Sequence, residues 1–505
     1  MSSAKSVSDQ SFHVQRTSEG LEDEIRDVVR YVFEEGPARE RPSLEEEHVA
    51  LTDSEDEDEF VRKYGDINFQ YIRKPKDATW FIKPHALNYF KDGVLYRTKG
   101  ERASSKTELF LDLMYVGIIA NLAGDASEHA SGAALLKYVL FFIPAWTVWA
   151  DIKDFTNYYY NEDLSQKVYI LWILSLLTLF ANSHSKILDG PKEAALTVVP
   201  YILCRVSLSI SLLVYSIFIP EHRVQQRLYA VLILITSSLW IPVIFIGTRA
   251  KVGLSFGILF LEQVFFIIAY HPITKKVLRL NMSTALNIEH EVERFSAFVT
   301  IALGEFLYKV VASSPLGAGF SDKFGRGIFL LTIAYVLFWI YNYGSTTKKA
   351  THALRRSGWS AYLWIFCHLP LIASLVLAAD AGGDITASDI TSLKKFLNDQ
   401  LIERREEEED PNMYALSFFF TGGICVSLLS MFVLGLLDDS KDSKDIHILP
   451  RFWRIFWRVP IGIIILCLSF AEMNSTLMMG IVTILLGVLL VYESVVSTPK
   501  VCLKH

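Results

Sequence analysis

The sequence predicts an all-α integral membrane protein with about twelve transmembrane helices in two tandem six-helix repeats, preceded by a largely disordered acidic N-terminal region. Three observations carry this expectation. First, 51% of the 505 residues are hydrophobic and 21% are charged, with a mean hydropathy of +0.30; soluble domains are roughly 45–50% apolar and about 25% charged. Second, the charges gather in a few blocks, and the apolar runs between them approach the ~20 residues a helix needs to cross the hydrocarbon core. Third, short patterns of the first half recur in the same order in the second.

Residues 1–60 include "SLEEEHVALTDSEDEDEF". Such composition cannot bury enough apolar surface to offset ordering entropy, so a disordered cytosolic tail is expected. Leu21 to Gly36 could form one short amphipathic helix ended by its glycine. Thr52 and Ser54 precede a dense acidic run and are candidate phosphosites; a plain charged solvating tail is the alternative. Residues 61–106 turn aromatic and basic and read as a cytosolic juxtamembrane segment, anchored by Trp80, Tyr89 and Tyr96. The first residues are polar, so no cleavable signal peptide is expected.

The spans are expected to begin near Thr107, Leu136, Lys167, Leu196, Arg227, Val252, Glu293, Gly327, Trp359, Tyr414, Phe452 and Ser475. This places a first repeat at 107–270, a cytosolic linker at 271–292, a second repeat at 293–497 with an acidic external loop at 381–412, and a cytosolic tail at 498–505. Arg97, Lys99, Arg102 and Lys106 precede the first span, and Lys348, Lys349, Arg355 and Arg356 separate the eighth and ninth. Lys and Arg mark the cytosolic side, so both termini are expected there. Arg249 and Lys251, on the expected outer side between the fifth and sixth spans, run against the rule. "ELFLDLMYVGIIA" from Glu108 aligns with "ERFSAFVTIALGE" from Glu293, "ILWIL" of span three with "YLWIF" of span nine, and "CRVSLSISLLV" with "ICVSLLSMFVL". Six helices per repeat would give both halves one orientation.

"TELFLDLMYVGIIANL", "FTNYYYNED", "EHEVERFSAFVTIALGE" and "SAYLWIFCHLPLIASLVLAA" together resemble the successive signature blocks of the low temperature requirement A (LtrA) family of polytopic membrane proteins. The likeness runs from about 100 to about 500. Positions matching its pattern are Glu108, Phe110, Asp112, Phe155, Thr156, Asn161, Asp163, His290, Glu293, Arg294, Glu305 and His368. The acidic head and "RREEEED" fall outside it and read as additions of a fungal member. The resemblance implies a polytopic fold and no established activity.

Charges inside spans usually face the bundle interior, pair with each other, and mark ion or proton paths. Glu108 and Asp112 share one helix stripe with Tyr115. Arg205 has no acid within a turn, so its partner must come from another helix, with Asp112, Glu108 and Glu262 as candidates. Glu262 stands alone in span six. Glu305 and Lys309 have the i,i+4 spacing of a self-neutralising pair, unless Lys309 snorkels outward. His368, before Pro370, is either a proton relay or a neutral core histidine bonded to the carbonyl the proline frees. These residues are the pathway or ion-coupling candidates. His290, Glu293 and Arg294 form a candidate helix-entry cluster, and Phe155, Thr156, Asn161 and Asp163 a family-matching loop.

"EHEVERF" lacks the second histidine of a zinc-protease motif, "DAGGD" lacks the first glycine of an intramembrane aspartyl-protease motif, and there is no Walker A. The expectation is therefore no enzyme, no catalytic residue, no metal and no cofactor. No basic domain or aromatic platform points to nucleic acid. Cys204, Cys367, Cys425, Cys467 and Cys502 lack disulfide or zinc spacing. Two readings of function stay open. One is a channel or ion/proton-coupled carrier for an ion or small solute, with a charged pathway between the repeats. The other is a non-transporting scaffold or stress sensor. The bilayer is the expected partner in both, and homo-oligomerisation is compatible with either.

Overall fold

Polar caps set where the long helices begin. Ser105 and Glu108 make a reciprocal capping box at the first helix, as Ser357 and Ser360 do at the ninth; Ser131, Asp163, Asn412 and Asn474 cap four others through their side-chain oxygens. Each cap satisfies amides that the first turn leaves without partners. Numbering only helices of ten or more residues, the order is α1 Lys106–Glu128, α2 Gly132–Tyr159, α3 Leu164–Ser183, α4 Pro191–Phe218, α5 Arg223–Leu239, α6 Thr248–Tyr270, α7 Ile288–Val311, α8 Asp322–Tyr343, α9 Gly358–Ala387, α10 Met413–Leu437, α11 Arg458–Cys467 and α12 Ser475–Val496. All twelve expected spans have their helix. Most start up to about a turn early, because the capped first turn is too polar to register as apolar sequence. A five-residue helix, Arg451–Ile455, precedes α11.

The structure, a computed structural model, describes residues 69–72, 80–98, 102–311, 319–343, 350–388, 412–440, 447–471 and 473–498. All of them belong to one unit, Glu59–His505. Thr52, Ser54 and the expected helix at 21–36 lie outside the described residues, as does most of the acidic loop at 381–412. Residues 381–387 are not loop, because α9 continues through Ala387.

Among the described residues, eleven helices are long and apolar enough to cross a membrane. The twelfth long helix, α7, falls outside that set because it carries Glu289, Glu291, Glu293, Arg294, Glu305 and Lys309. Burial is arranged as a bilayer demands: on α1 the acids Glu108 and Asp112 are buried while Leu109 and Leu113 are exposed. In hydrocarbon the apolar face is the solvated one, and backbone polar groups must be satisfied within helices.

Most packing partners correspond between the first and last six long helices, although α2 on α4 and α8 on α9 have no counterpart. α1 packs on α2 and α3, α3 on α4, α4 on α5, α5 on α6, and α2 on α6; likewise α7 packs on α8 and α9, α9 on α10, α10 on α11, α11 on α12, and α8 on α12. α1 also contacts α7 and α9, joining the two groups. α9 and α10 approach closely at Gly423, where a Cβ would come within 2.7 Å of the Ser374 carbonyl oxygen.

A small sheet closes one end. Its strands β1 Phe69–Ile72, β2 Asn88–Lys91, β3 Val94–Thr98 and β4 Met282–Thr284 lie in the order β1-β3-β2-β4, with β1 parallel to β3 and the other pairs antiparallel. Asp92 and Gly93, both at positive φ, form the two-residue turn between β2 and β3, the conformation that Asp-Gly supplies. β4 draws the α6–α7 linker, expected to be a plain connection, into this sheet. Tyr89 and Tyr96, expected as membrane anchors, stack on each other at 5.0 Å across the strands; Trp80 is exposed. This end, which holds the N-terminus of α1 and the C-terminus of α2, is the sheet end; the other is the far end. A short pairing of Ala350–Thr351 with Asp439–Ser440 ties the α8–α9 and α10–α11 connections.

Candidate functional site

The sheet-end halves of α1, α2 and α7 meet in a buried polar seam. Their apolar outer faces leave these helices no solvent for charge, so the charged side chains turn inward and find each other. Glu108 Oε2 accepts the Ser105 N–H at 2.9 Å, completing the α1 cap, while Oε1 lies 3.0 Å from Arg102 Nη2, 3.1 Å from His290 Nε2 and 4.0 Å from Arg294 Nη1. One turn deeper, Asp112 Oδ1 accepts from Arg294 Nη2 at 2.7 Å and from Trp149 Nε1 at 2.9 Å. Glu108, Asp112, His290 and Arg294 are all fully buried.

A second branch crosses from α2 to α7. Lys153 contacts Glu291 and, at 2.7 Å, Asp154. Asn157 donates to Glu291 Oε2 at 3.3 Å and to the Asn287 carbonyl at 3.0 Å, and accepts the Asn287 N–H at 2.9 Å. Arg102 reaches the Thr156 carbonyl at 2.7 Å. Three cations (Arg102, Lys153, Arg294) thus face four carboxylates (Glu108, Asp112, Asp154, Glu291). Five atoms in the seam make no hydrogen bond among the described residues: Asp112 Oδ2, Arg294 Nε and Nη1, the Tyr115 hydroxyl, and His290 Nε2, which lies beside Glu108 without one.

Beyond the seam comes an aromatic layer. Trp149 stacks on Phe298 at 4.3 Å, and Tyr115 meets Phe298 edge-on at 5.5 Å. Farther along α7, Lys309 pairs with Asp380 of α9, with Glu305, Asp384 and Glu128 in electrostatic range of that pair or of one another. Lys309 can lie along α9 because Gly383 leaves room: a Cβ there would come within 2.5 Å of the lysine stem. Glu305 is therefore not the main partner of Lys309, and the "DAGGD" segment supplies the missing acid.

Other candidates sit elsewhere. Arg205 pairs with Asp151 of α2 rather than with Asp112, Glu108 or Glu262, and Tyr229 donates to Asp151 at 2.9 Å. Glu262 is held by the Tyr201 hydroxyl at 2.7 Å and Trp240 Nε1 at 3.0 Å. His368 Nδ1 bonds the Trp364 carbonyl at 2.8 Å and Nε2 lies 3.0 Å from the Tyr341 hydroxyl. Its acceptor is one turn back, not the Phe366 carbonyl that Pro370 would free. The helix-entry cluster divides: His290 and Arg294 are buried, while Glu293 is exposed.

By burial, the acid of α7 that occupies the setting of Glu108 is Glu291. The aligned Phe110 and Phe295 likewise differ, one 54% exposed and the other fully buried. In the family-matching loop, Asp163 caps α3 and accepts the Ile82 N–H at 2.9 Å, and Asn161 N–H donates to Gln166. Phe155 and Thr156 are not loop residues, because α2 continues through Tyr159; Phe155 packs in the core and the Thr156 hydroxyl returns to the Lys153 carbonyl one turn back. Sequence reasoning missed Asp151, Lys153, Glu291, Asp380 and the bidentate Arg458–Glu493 pair, both of whose hydrogen bonds measure 2.7 Å. The signal for Asp151 and Lys153 was present in "TVWADIKDF", but charges near the end of an apolar run resemble loop charges.

The family model described as "Bacterial low temperature requirement A protein (LtrA)" matches residues 103–492. The chain belongs to the LtrA family. No curated protein and no solved structure matches it. In this LtrA protein the matched region opens at the approach to α1 and ends in α12. The seam from Glu108 to Arg294 thus lies within the part shared with the family, whereas β1–β3 precede it.

Proposed function

We propose that this LtrA protein is a permeation protein, a channel or ion- or proton-coupled carrier, whose pathway follows α1 and α7. The observation that carries the reading is the set of unpartnered atoms at Asp112, Arg294 and Tyr115. Buried dry, each such group costs about 1–3 kcal/mol; water or a transferred ion at the α1–α7 contact offsets that cost. Carboxylates outnumber cations at both ends of the column, by Glu108, Asp112, Asp154 and Glu291 at one end and by Asp380, Asp384, Glu305 and Glu128 around Lys309 at the other. That balance favours a cation or proton over an anion. The aromatic layer of Tyr115, Trp149 and Phe298 would be the barrier between them. The matching packing partners of α1–α6 and α7–α12 support two tandem repeats, with the pathway where their first helices meet.

A second reading, a membrane scaffold or sensor, draws on the bidentate Arg458–Glu493 pair, which locks helices without any path. Reconstitution into liposomes with dyes for proton, potassium and sodium separates the two. Flux under at least one gradient is the expected result; folded protein that passes none of the three ions returns the scaffold.

A further inference from the structure

At the far end of the first six helices lies a cavity of ≈ 670 Å³, reached by the first turns of α2 and α6, the end of α3 and the second and third turns of α4. It is separate from the α1–α7 seam. Its walls include Leu140, Phe141, Phe180 and Val198, and Lys137 and Lys251 line it where these helices end. Leu136 and Leu188, also lining it, are exposed on the bundle surface.

The lining charge is positive. Asp125 is its one carboxylate among the described residues, and Lys137 lies 2.9 Å from it. Lys137 also reaches the Ser185 carbonyl at 3.5 Å, and Lys251 donates to the Ile187 carbonyl at 3.1 Å. An ammonium has three donors, so both lysines keep capacity for an anion. The first turn of α6, which also faces the cavity through Thr248, has no side-chain cap, and its amides favour negative charge. Lys251 is also one of the two basic residues that ran against the expected charge bias of this side; a headgroup partner gives it a role there.

We propose that this cavity binds one anionic phospholipid, with the phosphate at Lys251 and Lys137 and an acyl chain along Leu140, Phe141 and Val198. The occupant is a lipid rather than a soluble phosphate because apolar side chains make up most of the wall and part of the lining lies exposed on the bundle surface.

The test uses the full chain, delipidated in detergent and incubated with equal phosphatidylglycerol and phosphatidylcholine of identical chains, then read by native mass spectrometry. The expected result is one retained phosphatidylglycerol, preferred at least about fivefold. The double variant Lys137→Ala/Lys251→Ala should reduce that preference to parity, and excess glycerol 3-phosphate should not displace the lipid. Phosphatidylglycerol should raise the melting temperature of the wild type more than that of the double variant. Ala134→Trp, which fills the cavity mouth, should lose both lipids. Parity in the wild type, an unchanged preference in the double variant, or displacement by glycerol 3-phosphate would overturn the proposal. So would full lipid retention by an Ala134→Trp protein that melts like the wild type.

Discussion

Arg294 of α7 donates to Asp112 of α1 across 2.7 Å, with both side chains fully buried. They lie 182 residues apart in the chain, one in each half of the bundle. Removing one member leaves the other as an uncompensated buried charge, which costs about 3–5 kcal/mol. Arg294→Ala should therefore lower the melting temperature in detergent sharply. Adding Asp112→Asn to that background should recover part of the loss, because the stranded charge is gone; a double variant as unstable as the sum of both singles would show the two residues to be independent.

Glu262 predicts a smaller, graded effect. Tyr201→Phe and Trp240→Phe each remove one donor to its carboxylate, a loss of about 1–3 kcal/mol. The two should be non-additive in a double-mutant cycle, since the second removal acts on a carboxylate already short of a partner. Melting curves of the four proteins give the coupling.

His222 should confer acid sensitivity. It lies outside the spans, where Nδ1 faces the Tyr159 hydroxyl at 2.9 Å and Nε2 faces the Asn88 carbonyl at 3.0 Å, joining the sheet to α2. Burial, with Lys275 nearby, lowers its imidazole from 6.5 to about 3. Its folded pKa is below the unfolded one, so its contribution is complete above about pH 6.5 and fades as pH falls toward 3. At about pH 5 the loss should be about 2 kcal/mol. His222→Gln should flatten the stability profile between about pH 6.5 and pH 4; an equally steep profile in the variant would assign the sensitivity to other groups.

Arg458 and Glu493 join α11 to α12 through two parallel hydrogen bonds, and Arg458 also reaches the Met431 carbonyl of α10 at 2.9 Å. A lysine cannot reproduce that fork. Arg458→Lys should cost about 1.5–3 kcal/mol despite keeping the charge, measured as thermal stability. A neutral outcome would mean the charge alone suffices.

The twelve long helices were legible because apolar length and flanking charge are local properties. Glu108 and Asp112 stood out for the same reason, as acids inside an apolar run. Their partners did not, since the pairing of Asp112 with Arg294, or of Arg205 with Asp151, depends on which helices touch. The alignment of Glu108 with Glu293 fails at the level of environment: a shift of two residues turns a helix face by more than half a revolution, so Glu291 is buried and Glu293 exposed. The sheet was hidden because its four-stranded order joins residues near 70–98 to Met282–Thr284, a contact no local pattern announces.

Asp112 is the central residue of the proposed conducting path. The direct measurement compares proton and potassium flux of wild-type and Asp112→Asn protein in liposomes, at equal reconstitution and with helicity and melting temperature recorded for both. At least a tenfold change in flux, or a change in which ion passes, is the predicted result. Identical flux from a well-folded Asp112→Asn protein would contradict it, and would leave the Asp112–Arg294 pair as a structural clasp.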